Sequence, residues 1–234
     1  MPAPSYVHGL GDTPLLGETI GENLRRTVER WGEREALVVL SQGYRATWRR
    51  LWEDTSRVAR GLLALGVHKG DRVGLWSPNR FEWVLTQYAA ARIGAILVNL
   101  NPAYKTAELR YALNQSGARV LLLAAGFRQN DYRRMLAEVR ADCPALEHAL
   151  VLEDDWAALG ERGEGVSEAE LAGREASLQF DEPINIQYTS GTTGFPKGAT
   201  LSHHNVLNNG FFVAEHQNIT HEDRVVVPVP FFHC

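Results

Sequence analysis

The chain has 234 residues, of which 44 % are hydrophobic, and a formal net charge of −4. This length allows one large domain or two small ones with a sizeable core, and the acidic balance argues against nucleic acid as a partner, because that partner would need a basic face. The two cysteines, Cys143 and Cys234, lack metal-ligand spacing and form no disulfide framework, so a reducing compartment is expected.

The amino-terminal residues 1–21 contain no Lys or Arg and no apolar run of signal-peptide length. They also lack the arginine-rich, amphipathic character of an organellar transit peptide. No stretch of about twenty apolar residues occurs anywhere in the chain, so no transmembrane helix is expected. We therefore expect a cytoplasmic protein. Nothing in the sequence indicates its oligomeric state.

Strand and helix patterns alternate along the chain. Thr19 and Glu22 form a capping-box pattern ahead of a first helix, and Thr47 can cap a helix that ends near Gly66. Expected strands are 36–40, 44–48, 72–76, 95–100, 119–124, 149–152, 184–188 and 225–227; further expected helices are 81–93, 106–115, 127–140 and 203–216. This order predicts an α/β fold with a mostly parallel sheet.

Residues 153–179 differ in composition from the rest. They include eight acidic residues and four glycines. We interpret them as a solvated excursion, with which short helical pieces are compatible, and this excursion need not be a domain boundary. A metal site is disfavoured because the acids lack the spacing of a ligand loop.

The stretch from Tyr188 to Gly198 combines three glycines, four hydroxyl side chains and Lys197. Glycines let the backbone approach a ligand, successive N–H groups form an anion-binding concavity, and lysine adds a positive charge. The stretch predicts a polyphosphate-binding loop, and a surface loop without a ligand is the alternative. It is not a Walker A loop, because Pro196 precedes Lys197 and Gly198 follows it.

A helix follows this loop, and its positive dipole end would favour phosphate binding if it lay beside the loop. His203 and His204 lie in its first turn. Because they follow the loop so closely in the sequence, contact with a nucleotide or substrate is one interpretation. We expect them instead to be solvent-exposed polar residues.

Four stretches, in the order of the family, resemble motifs of the adenylate-forming, AMP-binding superfamily. Their residues most resemble those of the fatty acyl-CoA synthetase branch, particularly its medium-chain members. The four stretches are the 188–198 loop, Ala46–Leu51, Ala91–Pro102 and Pro230–His233. The resemblance implies that the chain is part of the large N-terminal domain of an acyl-CoA synthetase-like fold.

The resemblance implies an acid–thiol ligase, which converts a fatty carboxylic acid, medium- or long-chain, to an acyl-adenylate with ATP and then transfers the acyl group to coenzyme A. Mg²⁺ would assist, with ligands mostly beyond residue 234. The implied ATP-binding residues are Thr189, Ser190, Gly191, Thr192, Thr193, Gly194, Phe195, Pro196 and Lys197. His233 is the candidate catalytic residue near the substrate carboxylate. A histidine after two aromatic residues is otherwise a packed or surface residue, so both interpretations stay open.

Several family segments do not occur in the sequence: the Tyr-Gly-x-Thr-Glu and Thr-Gly-Asp motifs, the hinge, and the small C-terminal domain with its catalytic lysine. We therefore expect residues 1–234 to be an incomplete AMP-binding domain without activity when isolated. A non-catalytic nucleotide- or acyl-binding module is the main alternative. An aryl-CoA ligase, a peptide-synthetase adenylation domain or a luciferase-like enzyme would differ in segments outside this sequence.

Overall fold

The computed structural model describes residues 11–189 and 196–233. Within these ranges the strands are β1 Glu35–Val39, β2 Tyr44–Thr47, β3 Arg72–Trp76, β4 Ile96–Leu100, β5 Val120–Leu123, β6 Gly126–Phe127, β7 Asn130–Asp131, β8 His148–Val151, β9 Pro183–Thr189 and β10 Lys197–Ser202. The helices are α1 Ile20–Trp31, α2 Trp48–Ala64, α3 Phe81–Ile93, α4 Thr106–Ser116, α5 Tyr132–Val139, α6 Leu152–Arg162, α7 Glu168–Ala176 and α8 His203–His216. Within the described residues, no helix is both long enough and apolar enough to cross a membrane.

A six-stranded sheet in the order β10-β9-β4-β3-β5-β8 organises the described part of the chain. All neighbouring strands in it are parallel except β10, which runs antiparallel to β9. Strand β5 is buried at each of its four positions, as expected for a parallel strand covered on both faces. The predicted α/β fold with a mostly parallel sheet is confirmed.

The sheet separates two apolar cores, and the alternation of strand side chains assigns residues to each. Val73 and Leu75 of β3 pack in the core that α1, α2, α3, α6 and α7 share, whereas Trp76 packs with α4 and α5. The Trp76 ring stacks on Tyr132 at a centroid distance of 3.6 Å. Each fully buried side chain of this size contributes about 1.5–3 kcal/mol through apolar burial.

Local signals in the sequence locate several helix ends correctly. The Thr19 hydroxyl accepts from the Glu22 amide in the predicted capping box. Gly94 and Gly117 end α3 and α4 with φ of 70° and 61°, a left-handed conformation that glycine adopts without a steric penalty.

Three local expectations differ from the structure. The helix expected over 127–140 starts at Tyr132, because β6 and β7 first form a small antiparallel hairpin. Residues 225–227 do not form the expected strand. Strands β4 and β9 already have a neighbour on each side, so neither offers this segment a free edge within the described residues. Strand β10 was not predicted.

Residues 153–179 form the short helical pieces that the expected excursion allowed, and these pieces are packed on the rest of the chain. They lie mostly in helices α6 and α7, which pack against α2 and bury Leu159 and Leu171, while most of the carboxylates remain exposed. Gly160 and Gly163 permit close packing on α2, since an added Cβ would lie 2.7 Å from Arg57 Cδ and 2.8 Å from the Gly61 nitrogen, respectively. A Cβ added at Gly61 of α2 would in turn lie 2.2 Å from the Leu159 carbonyl oxygen of α6. Composition revealed the exposed face of these helices but not the packed one.

Arg92 joins α3 to α2 and α7 from a fully buried position, with 1 % of its surface exposed. Its guanidinium donates to Thr55 Oγ1 at 3.0 Å and Ser56 Oγ at 2.8 Å, pairs with Glu175, and lies 3.6 Å from the centre of the Trp52 ring. Burial lowers the pKa of Arg92, and the Glu175 carboxylate opposes that shift. The residue has a structural role within the Ala91–Pro102 stretch.

Candidate functional site

The predicted phosphate loop is the connection between two antiparallel strands. Thr189 at the end of β9 is paired with Lys197 at the start of β10, and the Thr189 hydroxyl donates to the Lys197 carbonyl at 3.4 Å. Ser190, Gly191, Thr192, Thr193, Gly194 and Phe195 lie outside the described residues. The two ends of the loop are therefore held side by side at the carboxyl end of a parallel strand, where α/β sheets place their ligands.

Helix α4 supports both ends of this hairpin. The Tyr111 hydroxyl donates to the Pro196 carbonyl at 3.1 Å, and the Tyr188 hydroxyl donates to the Ala112 carbonyl at 3.0 Å. Burial raises the pKa of Tyr188 to about 12, so this phenol keeps its proton at neutral pH. Nothing in the sequence indicates this role of Tyr111, because the contact joins residues that lie far apart in the chain.

Lys197 and Thr189 are both solvent-exposed. An exposed ammonium beside a hairpin connection is available to an anionic ligand, and its hydration cost on binding is small compared with that of a buried charge. The residues present therefore fit a polyphosphate in charge and position.

The start of α8 does not lie beside the loop. Strand β10 separates them and spans about 20 Å at 3.3 Å per residue, whereas a helix dipole acts within about its first turn. The condition for a dipole contribution is therefore not met at Lys197, because the chain continues as a strand before the helix begins.

His203 is not the exposed residue that we expected. It is fully buried, and its Nδ1 accepts from the Ile20 amide at the start of α1, at 3.2 Å. Burial lowers the pKa of His203 to about 4, an effect that Glu182 and Glu22 partly oppose. His204 is half-buried, with its ring 5.5 Å from Phe180. His203 therefore anchors α8 to α1.

His233 ends a short 3-10 turn, Phe231–His233, that contacts β4 and β9. Its own side chain is exposed, and its ring centroid lies 5.8 Å from that of Phe232. The amide of Gln187, two residues before Thr189 on β9, donates to the Phe232 carbonyl at 2.9 Å. The turn and the phosphate hairpin thus share strand β9, which brings the two predicted parts of the site to the same region.

Carboxylates do not build a metal centre in the described ranges 11–189 and 196–233. No group of three or more His, Cys, Asp or Glu side chains there is arranged to hold a metal ion.

An open, mostly parallel sheet with helices on both faces defines the class, an α/β protein, and the candidate site lies at the carboxyl ends of its strands. The family model described as AMP-binding enzyme matches residues 24–234. The chain belongs to this family of AMP-binding enzymes.

Individual relatives agree with the family. The chain is 39 % identical over 254 residues to medium-chain acyl-CoA ligase ACSF2, mitochondrial, of Danio rerio, covering 98 % of this chain and 41 % of the relative. The N-terminal domain of FACL13 from Mycobacterium tuberculosis superposes with a TM-score of 0.81 at 30 % identity, over 92 % of this chain and 52 % of that one. FadD1 of Archaeoglobus fulgidus, a long-chain-fatty-acid-CoA ligase, superposes with a TM-score of 0.83 at 26 % identity, over 98 % of this chain and 45 % of that one. The chain thus spans less than half the length of the ACSF2 relative.

Proposed function

We propose that the complete protein is a fatty acid–CoA ligase that forms AMP. A carboxylate oxygen of a medium- or long-chain fatty acid attacks the α-phosphorus of ATP, the bond to the β-phosphate oxygen breaks, and pyrophosphate leaves. The thiolate of coenzyme A then attacks the acyl carbon and AMP departs. The observation that carries this proposal is the hairpin that pairs Thr189 with Lys197 at the carboxyl end of β9, in a chain of the AMP-binding family.

The loop residues have the following proposed roles. Ser190, Thr192 and Thr193 donate hydroxyl hydrogen bonds to the β- and γ-phosphates, and Gly191 and Gly194 permit close approach of the backbone. Thr189, Phe195 and Pro196 complete the loop, and Lys197 offsets the charge of the polyphosphate. Holding the β- and γ-phosphates in place aligns the α-phosphorus with the attacking carboxylate. Positioning of this kind lowers the barrier of the reaction.

His233 is proposed to lie near the substrate carboxylate. Its support is the shared anchoring on β9, which places the turn and the hairpin on the same strand. An exposed imidazole there is available to hydrogen-bond the acid. Mg²⁺, when bound, would help to neutralise the polyphosphate. The described residues supply no ligand cluster for it, so we assign none of them to the metal.

The deciding test is carboxylate-dependent exchange of pyrophosphate into ATP by the complete protein. The acids run from acetate through medium- and long-chain fatty acids to aryl acids, and residues 1–234 alone serve as the inactive control. We expect exchange to peak with fatty acids, and thioester to form when coenzyme A is added. Binding of ATP without exchange for any acid would instead indicate a non-catalytic module.

We also propose a cytoplasmic location, which the free cysteine Cys143 supports, since disulfides are rare in a reducing compartment. The Danio rerio relative is named as mitochondrial. Fractionation of cells that express the complete, tagged protein tests the proposal, and recovery in an organelle would contradict it.

A further inference from the structure

Two side-chain amides from separate elements hold the backbone of the turn that carries His233. Asn79, which follows strand β3, donates through Nδ2 to the Val229 carbonyl at 2.8 Å, and its Oδ1 accepts from the Phe231 amide at 2.8 Å. Gln187 of β9 donates through Nε2 to the Phe232 carbonyl at 2.9 Å. The turn is therefore tied to the ends of two strands of the sheet.

The orientation of the Gln187 amide follows from its neighbour on β4. Asn99 is paired with Gln187 in the parallel register, and Asn99 Nδ2 lies 3.5 Å from Gln187 Oε1. A donor on that side keeps the carbonyl oxygen of Gln187 toward Asn99 and its NH₂ group toward Phe232. Since Asn99 is 2 % exposed, this arrangement belongs to the interior of the sheet.

The segment before the turn has little packing to fix it. Val225, Val226, Val227 and Val229 are 48–86 % exposed and belong to no strand. In the turn itself, Phe231 and Phe232 are partly buried against the core, and the Phe231 ring lies 6.3 Å from that of Trp83 between centroids. Apolar packing is non-directional, so the amide hydrogen bonds set the orientation of the turn's backbone.

We propose that Asn79 and Gln187 are positioning residues that set the place of His233 relative to the phosphate hairpin. This inference rests on the proposed function, in which the acid lies at His233 while ATP lies at the hairpin. Gln187 links the two directly, because it is two residues from Thr189. Loss of either amide should weaken use of the carboxylic acid more than use of ATP.

The test uses Asn79→Leu and Gln187→Leu in the complete protein. The two residues lie in different elements and share only the turn, so a common phenotype points to the turn. Asn114→Leu is the matched control, because Asn114 Nδ2 donates in the same way to the Asp142 carbonyl, at 2.9 Å on a different loop. We expect the KM for the acid to rise about tenfold for Asn79→Leu and about fivefold for Gln187→Leu, as loss of one or two net hydrogen bonds implies. The KM for ATP should stay within about twofold.

An equal rise of the KM values for acid and ATP in both leucine variants would overturn the proposal, since it would indicate general damage to the hairpin.

Hydrogen exchange of the Phe231 amide gives a readout that needs no catalysis. It should be about tenfold faster in Asn79→Leu, because its acceptor is gone. The wild-type protein could show pyrophosphate exchange with none of the tested acids, while its Phe231 amide is protected from hydrogen exchange and Asn79→Leu removes that protection. In that case the proposed function fails and the positioning of the turn stands. Unchanged Phe231 exchange together with an unchanged acid KM would refute the positioning role.

Discussion

Replacing Gly61 by alanine is expected to push helix α6 away from helix α2. The added Cβ would lie 2.2 Å from the Leu159 carbonyl oxygen, and a Cβ at Gly163 would likewise lie 2.8 Å from the Gly61 nitrogen. Both obstacles are backbone atoms, so no side chain can rotate out of the way. Relief to an ordinary contact of 3.4 Å requires a shift of about 1 Å between the helices.

Overpacking of this kind costs about 1–3 kcal/mol, and the better helix propensity of alanine returns up to about 1 kcal/mol. We therefore expect Gly61→Ala to lower the free energy of unfolding by about 1–2 kcal/mol. Urea titration followed by circular dichroism measures it. Gly173→Ala in α7 is the matched control, because a Cβ there meets nothing within 4 Å, and it should stabilise by up to about 1 kcal/mol. Equal effects of the two substitutions would refute the close-packing argument.

Three further substitutions have defined outcomes. Arg92→Met leaves Glu175 without its partner and should destabilise by about 3 kcal/mol in the same titration; a loss below about 1 kcal/mol would contradict the buried network. The pKa of histidine is about 6.5 in the unfolded chain, whereas burial lowers the pKa of His203 to about 4 in the folded protein. The free energy of unfolding should therefore fall as the pH falls from about 6.5 to about 4. His203→Gln should flatten that slope, and an unchanged slope would assign it to other groups. Lys197→Ala should raise the KM for ATP about 10- to 100-fold without changing the unfolding midpoint, and unchanged pyrophosphate-exchange kinetics would count against the phosphate role.

Signals that act over a few residues predicted the fold well. The capping box at Thr19, the helix-ending glycine Gly66 with its φ of 79°, and the apolar runs of β3 and β5 all depend on neighbours in the chain. Their physical causes are local, so the sequence alone indicates them.

Features that depend on distant partners were missed. Strand β10 has exposed or half-exposed residues throughout and no buried run, and it exists because β9 offers a free edge. Residues 225–227 have a strand-like composition but pair with no strand of the described residues. For the candidate site, the loop and His233 came from motif resemblance, whereas Tyr111, Asn79 and Gln187 are visible only after the chain folds. His203 was misjudged because its burial comes from α1, far away in sequence.

The pairing of β9 with β4 has a consequence for the order of folding. It joins Val98 to Ile186, two residues separated by the whole of α4, β5, α5, β8, α6 and α7. Such non-local pairings form slowly, because the loop-closure entropy is lost before the contact is gained. During synthesis β3, β4 and β5 emerge and can pair before β9 leaves the ribosome. The strand that presents the candidate ATP loop therefore joins the sheet after β3, β4 and β5, and β10 can pair only after it; slow or arrested folding would leave the scaffold formed and the site missing.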